Sequence, residues 1–411
     1  MNHGDVAWIL TSSALVLIMT PGLAFFYGGL VKRKNIINTI MSSIIFMGLA
    51  SILWVLVGFS MSFSGDIGGI IGNLKWFGLN FNSLTDTTLA YPNTLAFAIF
   101  QMMFAIITPA LITGSIAERM KFSSLVIFTT IWSLIVYYPL AHMGWGGGFL
   151  YKIGSVDFAG GNVVHISSGV SALVLSIILG KRKNYGKATY HPHNVPFVIL
   201  GAALLWFGWF GFNAGSALSA NELAIHAFMT TNTSAAAAML SWLLIERVKT
   251  GKPTLVGAST GLVIGLVAIT PGAGFVPIWS SIIIGALVSP ICYFFISVIK
   301  PIFDYDDALD VFGCHGVGGI WGGIATGLFA KSSINPAAHW DGLVYGSANL
   351  FIRQLASIGV TIIVAVVGTL IACGVASLIT KGIKVSKKDE EFGLDYAQHG
   401  ESAYPAFNGM D

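Results

Sequence analysis

Two aspartate–histidine pairs have the residue types and spacing to form a polar site inside an apolar helix bundle. Asp157 is followed eight residues later by His165, and Asp307 is followed eight residues later by His315. Each pair stands at the start of a long apolar segment, where a helical rise of about 1.5 Å per residue places the histidine about 12 Å deeper than its aspartate. In a hydrocarbon layer about 30 Å thick, this depth is close to the midplane, where ionisable residues are costly and usually functional.

The same residues have more than one role that agrees with the sequence. A lone buried histidine is most often a hydrogen-bonded structural residue, but a facing pair can line a narrow pore for a small polar solute or relay a proton. The aspartates lie near helix N-termini, where a carboxylate caps unpaired amides and its charge also favours a nearby cation. We expect His165 and His315 to face each other, and both roles of Asp157 and Asp307 stay open.

A second set of candidates combines aromatic rings with a small polar residue near predicted helix ends. A cation desolvated over such rings gains about 2 kcal/mol. Any one of the rings is more simply a core or lipid-facing residue, so the argument depends on their meeting at one place. The set comprises Phe100, Phe104, Trp145, Trp209, Phe212 and Ser216.

The composition predicts a membrane protein. Of the 411 residues 55% are hydrophobic and 9% are charged, and the mean hydropathy is +0.78, whereas soluble domains carry roughly 25% charged residues. The 49 glycines agree, because small residues let membrane helices approach closely. The net charge of +3 gives no sign of a nucleic-acid partner, and Cys292, Cys314 and Cys373 are too scattered for a disulfide framework.

The hydropathy pattern predicts an all-α, multi-pass protein with eleven transmembrane helices. We interpret the first apolar run as a retained membrane helix, because it is longer than the apolar core of a signal peptide and no basic segment precedes it. The predicted runs are roughly 6–31, 36–63, 93–116, 122–142, 160–180, 195–215, 222–246, 254–271, 277–299, 311–330 and 346–380.

The basic residues predict the orientation. All of the 21 lysines and arginines except Lys75, Lys152, Lys331 and Arg353 fall in alternate loops or in the C-terminal tail. Because basic loops stay in the cytoplasm, the N-terminus is predicted outside and the C-terminus inside. The fifth and tenth helices then enter from opposite faces, so that both histidines arrive at one depth.

This topology predicts a membrane domain over 1–380 built as a five-plus-five inverted repeat. The halves are 6–180 and 195–330, the eleventh helix over 346–380 is an extra element, and 381–411 is a cytoplasmic tail. Inverted repeats are typical of transporters that bind their solute near the midplane. The sequence contains no P-loop, HExxH or GxSxG motif, so we expect no enzyme activity, no metal and no cofactor.

Five segments closely resemble the ammonium transporter (Amt/Mep/Rh) family, in particular its bacterial and archaeal Amt branch. The resemblance extends through essentially the whole chain, including the tail segment GLDYAQHGESAYP (393–405). The segments are FQMMFAIITPALITGSIAERMKF (100–122), HMGWGGGFL (142–150), DFAGGNVVHI (157–166), GWFGFNAGSAL (208–218) and DVFGCHGVGGIWGGI (310–324).

The resemblance implies a homotrimer of eleven-helix protomers in the inner (plasma) membrane, each with its own pore for ammonium or methylammonium. It implies a trimeric PII-type signalling protein as a partner at the cytoplasmic face. It also implies roles for single residues: Trp145, Ser216, Phe104, Asp157 and Phe100 at an outer ammonium recruitment site, Phe104 and Phe212 as a gate, His165, His315, Trp209 and Thr270 along the pore, and Asp307 as the inner repeat mate of Asp157. Cys314 departs from the small apolar residue expected before His315.

Two other functions stay open from the sequence. The same fold can act as an ammonium sensor that signals through its tail. Alternatively, His165 and His315 can be the two axial ligands of an intramembrane haem, although the aspartate–histidine spacing has no role in such a site.

Overall fold

The computed structural model describes residues 3–81, 94–183, 185–187 and 191–404. Residue 93 of the third predicted run and residues 405–411 of the predicted tail lie outside the described residues. Within the described part of the chain the fold is helical, and its β structure is limited to two isolated bridges, Ile67 with Ile71 and Met120 with Lys384.

Each of the eleven predicted apolar runs falls on a helical stretch. In chain order these are α1 (His3–Leu30), α2 (Arg33–Phe63), α3 (Thr94–Ile116), α4 (Phe122–Lys152), α5 (Gly161–Leu179), α6 (Val195–Ala217), α7 (Glu222–Thr250), α8 (Leu255–Ile269), α9 (Ile278–Phe303), α10 (Phe312–Gly316 continuing into Val317–Phe329) and α11 (Ala348–Thr380). In the described residues, nine of them, all except α8 and α10, are long and apolar enough to cross a membrane. The count of eleven crossings and the orientation of the termini stay predictions.

The outer surface of the bundle is apolar, as lipid contact requires. Large hydrophobic side chains project from it, including Ile225 and Leu244 on α7 and Leu378 on α11, which is 82% exposed. No water-soluble surface is built this way, since large exposed apolar patches promote association. The chain is therefore a multi-pass membrane protein.

Several of these helices contain a π-helical turn, in which the hydrogen bond spans five residues instead of four. The π turns are Trp54–Gly58, Ser133–Tyr137, Gly161–Ile166, Phe295–Ile299 and Phe312–Gly316. Such turns are rare and frequently occur at functional sites. Two of them begin the helices α5 and α10, and these are the two turns that carry His165 and His315.

A buried ion cluster fixes the cytoplasmic ends of the helices, as the predicted orientation places them. Arg119 Nη1 lies 2.8 Å from Asp306 Oδ2, and both side chains are fully buried. Arg182 binds the same carboxylate through two nitrogens, Nε at 2.9 Å and Nη2 at 2.8 Å. Burial alone would raise the pKa of Asp306, but Arg182 and Arg119 hold it below its usual value. The stability that this pair contributes is therefore present at neutral pH and is lost only as pH falls below about 3.9.

The tail packs against this end of the bundle. It contains two short helices, α12 (Lys387–Phe392) and α13 (Leu394–His399). The Asp395 carboxylate accepts a 2.9 Å hydrogen bond from the Asn38 amide at the start of α2. The backbone of Val385 donates to the Arg119 carbonyl at 2.9 Å. The described tail residues are thus part of the folded structure.

Candidate functional site

His165 and His315 meet at the centre of the bundle. Their Nδ1 atoms are 3.3 Å apart, and their rings are inclined by 18°. Because both nitrogens belong to imidazoles, one donates a proton to this hydrogen bond and the other accepts it. His165 Nε2 is buried and has no hydrogen-bond partner in the protein, so this atom is available to a solute.

Asp157 positions His165 by capping the π turn that carries it. Its Oδ1 accepts from the amides of Gly160 (2.8 Å) and Gly161 (2.6 Å). Its Oδ2 accepts from the amides of Asn162 (2.8 Å) and Val163 (3.3 Å). All of these bonds are to backbone groups, so the capping role predicted for this aspartate is present in the structure.

Asp307 has the corresponding place before His315. Its Oδ2 accepts from the Phe312 amide at 2.8 Å, again five residues along the chain. Its Oδ1 is buried without a hydrogen-bond partner, and its carbonyl accepts from Lys300 Nζ at 2.7 Å. The two aspartates therefore have related local geometry, but only Asp157 has both oxygens engaged.

Two glycines let the histidine-bearing helices approach each other. Gly169 and Gly319 each lie four residues after a histidine. A Cβ atom on Gly169 would lie 2.2 Å from the Gly316 amide nitrogen, and one on Gly319 would lie 3.1 Å from His165 Cβ. A side chain at Gly169 would therefore push α5 and α10 apart and separate the two rings.

A narrow apolar cavity runs beside the histidine pair. Its volume is about 10 Å³, which is close to the minimum that holds one water molecule. Besides the two histidines, its lining is aliphatic or aromatic: Met19, Leu23, Ile107, Leu111, Val164, Leu205, Trp209, Phe212 and Val263. Only a small solute fits, and the two imidazoles and the Trp209 indole are the only polar side chains in this lining.

Two phenyl rings separate this cavity from the outside. The centroids of Phe104 and Phe212 are 4.3 Å apart, and Phe212 lies 6.0 Å from the His165 ring. Phe104 is 1% exposed and Phe212 is 1% exposed. The two rings, inclined by 39°, therefore close the narrow cavity on the side away from His315.

A larger cavity, which we call the outer cavity, opens on the side of the phenyl pair away from the histidines. Its volume is about 230 Å³, and its lining includes Phe100, Gln101, Phe104, Trp145, Asp157 and Ser216. The Trp145 indole donates to the Asp157 carbonyl at 2.9 Å and stands edge-on to Phe104 at 6.0 Å. Phe100, Phe104, Trp145 and Ser216 thus meet at one place, whereas Trp209 and Phe212 of the same predicted set line the narrow cavity beside the histidines.

A third cavity, of about 400 Å³, lies on the other side of the histidines, and we call it the inner cavity. Its lining includes Tyr27, Lys300, Asp310, Cys314 and His315. Asp307 is not part of this lining. The three cavities follow one another through the protein in the order of about 230, 10 and 400 Å³. Both histidines line the middle one, and His315 also lines the last.

Comparison with known protein families identifies the family of this chain. The model of the Ammonium Transporter Family matches residues 7–404, which is nearly the whole chain. The chain belongs to the ammonium transporter family.

Relatives with the same family name include bacterial and archaeal proteins. An ammonium transporter of Bacillus subtilis is 48% identical over 406 residues, which cover 98% of this chain and 99% of that protein. Ammonium transporter Amt1 of Archaeoglobus fulgidus is 45% identical over 98% of this chain and 100% of its own length.

Solved structures of the ammonium transporter family show the same fold. Saccharomyces cerevisiae Mep2 superposes with a TM-score of 0.87 at 34% identity and covers 99% of this chain and 94% of that chain. A structure titled Sensor Amt Protein superposes with a TM-score of 0.87 at 28% identity, covering 96% and 98%.

Thr270 takes a different place from the one that the family resemblance implied. It is fully buried, and it lines none of the three cavities described above. Its hydroxyl accepts a 2.9 Å hydrogen bond from the Trp209 indole and donates to the Leu266 carbonyl at 2.7 Å. Thr270 therefore orients Trp209, which stacks on His165 at 5.3 Å with an 18° inclination.

We expect Thr270→Val to destabilise the protein by about 1–3 kcal/mol, because it leaves the buried Trp209 donor unpaired. Ammonium transport should fall as the indole shifts against His165. Thr361→Val is the matched control, since that buried hydroxyl bonds only the Ser357 carbonyl of its own helix at 2.9 Å. Thermal unfolding of both variants checks this, and equal losses would contradict a specific role of Thr270.

Sequence reasoning missed four polar residues that line the outer cavity, namely Gln101, Tyr151, Ser155 and His339. Gln101 directly follows Phe100, and its side-chain oxygen is buried without a hydrogen-bond partner in the protein. The amide in an otherwise apolar stretch of α3 was the available signal. Gly169 and Gly319 were also missed, and the signal for them was their equal spacing of four residues after His165 and His315.

Proposed function

We propose that this protein transports ammonium across the membrane, and that each chain contains its own pore. The observation that supports this most strongly is the order of features along one path through the protein. An aromatic outer cavity comes first, the Phe104–Phe212 pair follows, and His165 and His315 then lie beside an apolar cavity of about 10 Å³. Such a path suits a solute that is small, binds aromatic rings as a cation and makes hydrogen bonds as a neutral molecule.

The energetics decide the form in which the solute passes. Moving an unpaired ion into a low-dielectric region costs of order 20 kcal/mol in the Born limit and several kcal/mol after relaxation. Removing a proton from an amine-like cation at pH 7 costs about 5 kcal/mol, by the lysine reference near 10.4. Aromatic rings return only about 2 kcal/mol. The cation therefore stops in the outer cavity, and neutral ammonia continues.

The outer cavity is the recruitment site in this proposal. The faces of Trp145, Phe104 and Phe100 attract the cation, and the Ser216 hydroxyl, which donates to the Phe212 carbonyl at 2.8 Å, keeps its oxygen lone pairs for an ammonium N–H. The charge of Asp157 adds to the negative potential there, although its oxygens are used by backbone amides. Movement of Phe104 and Phe212 then admits the neutral solute.

The histidine pair handles ammonia beyond the phenyl rings. Because one Nδ1 donates to the other, the pair presents one Nε2 that accepts and one that donates. Ammonia can both accept and donate, so it matches the pair better than a hydrocarbon does. The proton released outside crosses separately from ammonia, and the 3.3 Å contact between the two rings is a suitable relay for it, so net charge moves with each ammonia.

Uptake into proteoliposomes tests the proposal. We expect saturable uptake of radiolabelled methylammonium that ammonium inhibits. Equal uptake by empty liposomes would contradict a transport function. A protein that binds ammonium without transporting it would instead act as a sensor, as the name of one structural neighbour, Sensor Amt Protein, suggests.

The histidine geometry is not compatible with the haem alternative. Two axial ligands must leave an iron atom and its porphyrin between them, but the facing Nδ1 atoms are in hydrogen-bond contact and the adjoining cavity has a volume of about 10 Å³. No porphyrin fits there without separating α5 and α10.

We further propose that the protein is a homotrimer in the inner (plasma) membrane, with its tail in the cytoplasm and a PII-type signalling protein as its partner. The tail contains the helices α12 and α13, and its residues Glu390 and Glu391 contact Lys183. Close to Lys183 in the chain, Arg182 and Tyr185 line the inner cavity. The segment with these three residues therefore connects the tail to that cavity. A loop of the partner would close its mouth.

We expect a PII-type protein from the same host to bind the purified transporter in a manner that depends on ATP, ADP and 2-oxoglutarate. Lys181→Gln should weaken binding, because its side chain is 46% exposed at the cytoplasmic face and charged contacts steer association. Lys75→Gln, in the loop predicted to lie outside, is the control. Absence of binding under every ligand condition would contradict this partner.

A further inference from the structure

The pore does not use His142, which is a fully buried histidine next to the outer cavity. It lies on α4, three residues before Trp145, and its ring is 0% exposed. Its Nδ1 is 3.0 Å from the Ser62 carbonyl oxygen, and its Nε2 is 3.0 Å from Asp66 Oδ1. Both nitrogens therefore face oxygen atoms.

The two contacts determine how many protons the ring carries. A carbonyl oxygen can only accept a hydrogen bond, and an ionised carboxylate can only accept one. A neutral imidazole has a single N–H and satisfies one of these oxygens, whereas an imidazolium satisfies both. Fully paired hydrogen bonds at this buried position thus require two protons on His142, provided that Asp66 is ionised.

The surroundings of Asp66 keep it ionised. Hydrogen bonds from Lys152, His142 and the Gly69 amide hold the pKa of its carboxyl well below the usual range. Oδ2 pairs with Lys152 Nζ, and Oδ1 also accepts from Gly69 N at 2.8 Å. Asp66, in the loop after α2, and Lys152, at the end of α4, are the charged groups that face the ring or its partner, and Tyr138 precedes His142 by one turn of α4.

His142 also closes the turn that carries Trp145. Its carbonyl accepts from the amides of Gly146 and Gly148, both at 3.0 Å. The Phe149 amide then donates to the Gly69 carbonyl at 2.7 Å, in the loop that holds Asp66. The ring thus joins α4 to the end of α2 and to Asp66, and the loop that holds Asp66 binds the turn after Trp145 through the backbone of Gly69. The Trp145 indole is fixed on the other side by the Asp157 carbonyl.

We propose that His142 is an imidazolium paired with Asp66, and that this buried ion pair is a positioning device that holds Trp145 over the outer cavity. The pair acts on the mouth of the pore and not on the passage of the neutral solute. Its effect on transport rests on the proposed function, but its protonation state does not.

Nitrogen NMR of protein labelled with ¹⁵N-histidine, in liposomes at pH 8.5, tests the protonation state. An ordinary histidine, with a pKa near 6.5, is neutral at this pH. Of the nine histidines, we expect one to show two protonated ring nitrogens. The signal should disappear in both His142→Gln and Asp66→Asn. Its absence from the wild-type protein, or its persistence in either variant, would overturn the proposal.

Transport kinetics test the positioning role. We expect Asp66→Asn and His142→Gln to raise the apparent KM for methylammonium by about tenfold, which corresponds to about 1.4 kcal/mol, with a smaller change in maximal rate. Asp341→Asn is the control, because that loop carboxylate binds only Ser332, through its amide and its hydroxyl, both at 2.7 Å.

Asp66 is one-third exposed, so Asp66→Asn should fold even where His142→Gln does not. A KM within about twofold of wild type in a folded Asp66→Asn protein would overturn the positioning role. If the wild-type protein transports no methylammonium, the proposed function fails, and the NMR result alone decides whether the ion pair exists.

Discussion

Replacing His165 by alanine is expected to lower ammonium transport by at least about tenfold while the protein stays folded. The substitution removes the partner of His315 Nδ1 and the unpaired Nε2 that would bind ammonia. A buried polar group left without its partner costs about 1–3 kcal/mol, and each 1.36 kcal/mol in a barrier is tenfold in rate. The space left by the ring should also admit water into the pore, so osmotic water permeability should rise.

The matched control for His165→Ala is His226→Ala. His226 Nε2 contacts the Val276 carbonyl at 2.9 Å, and His226 lies outside the lining of the three cavities. The double variant of His165 and His315 should lose little more than either single variant, because groups that form one unit are not additive. Wild-type rates in His165→Ala would contradict a pore lined by this pair.

Replacing Asp157 by alanine is expected to abolish transport and to lower stability by about 3 kcal/mol. The carboxylate accepts four backbone amides at the π turn before His165. Hydrogen bonds to a charged group are worth about 1.5–3 kcal/mol each, and loss of a helix cap costs about 1 kcal/mol. Without this cap, the turn that orients His165 should fray, and thermal unfolding and methylammonium uptake measure the two effects.

Asparagine at position 157 separates capping from charge only in part. An amide has one oxygen, so Asp157→Asn keeps the bonds of one carboxylate oxygen and turns an N–H donor towards the amides that the other oxygen had bound. We therefore expect an intermediate loss of stability. Asp307→Asn is the comparison, because its amide oxygen can keep the bond to Phe312. Wild-type transport by Asp157→Asn would exclude an essential charge.

The residues of the candidate site could be named from the sequence because membrane helices obey simple constraints. Buried ionisable groups are rare in apolar segments, so His165 and His315 stood out, and the eight-residue spacing placed each beside a capping aspartate. The structure brings the two rings into hydrogen-bond contact. The pairing of Phe104 with Phe212 was implied by the family resemblance, and their ring centroids lie 4.3 Å apart in the structure.

The remaining features depend on contacts between segments that are distant in the chain. Thr270 was placed along the pore, but it lies behind Trp209, because the side of a fully apolar helix that faces the lumen cannot be read from its pattern. The buried pair of Arg119 with Asp306 joins residues 187 positions apart in the sequence. The π turns also escaped prediction, since no residue pattern distinguishes them from an α-helix until the capping carboxylates are located.

The measurement that tests the central claim most directly combines current and internal pH in proteoliposomes given an ammonium pulse. A pore that separates ammonium into ammonia and a proton, and passes both, should give a saturable inward current with little internal alkalinisation. His165→Ala should lose this current. Alkalinisation without current would contradict net charge movement, and the absence of both signals above those of empty liposomes would contradict ammonium transport by this protein.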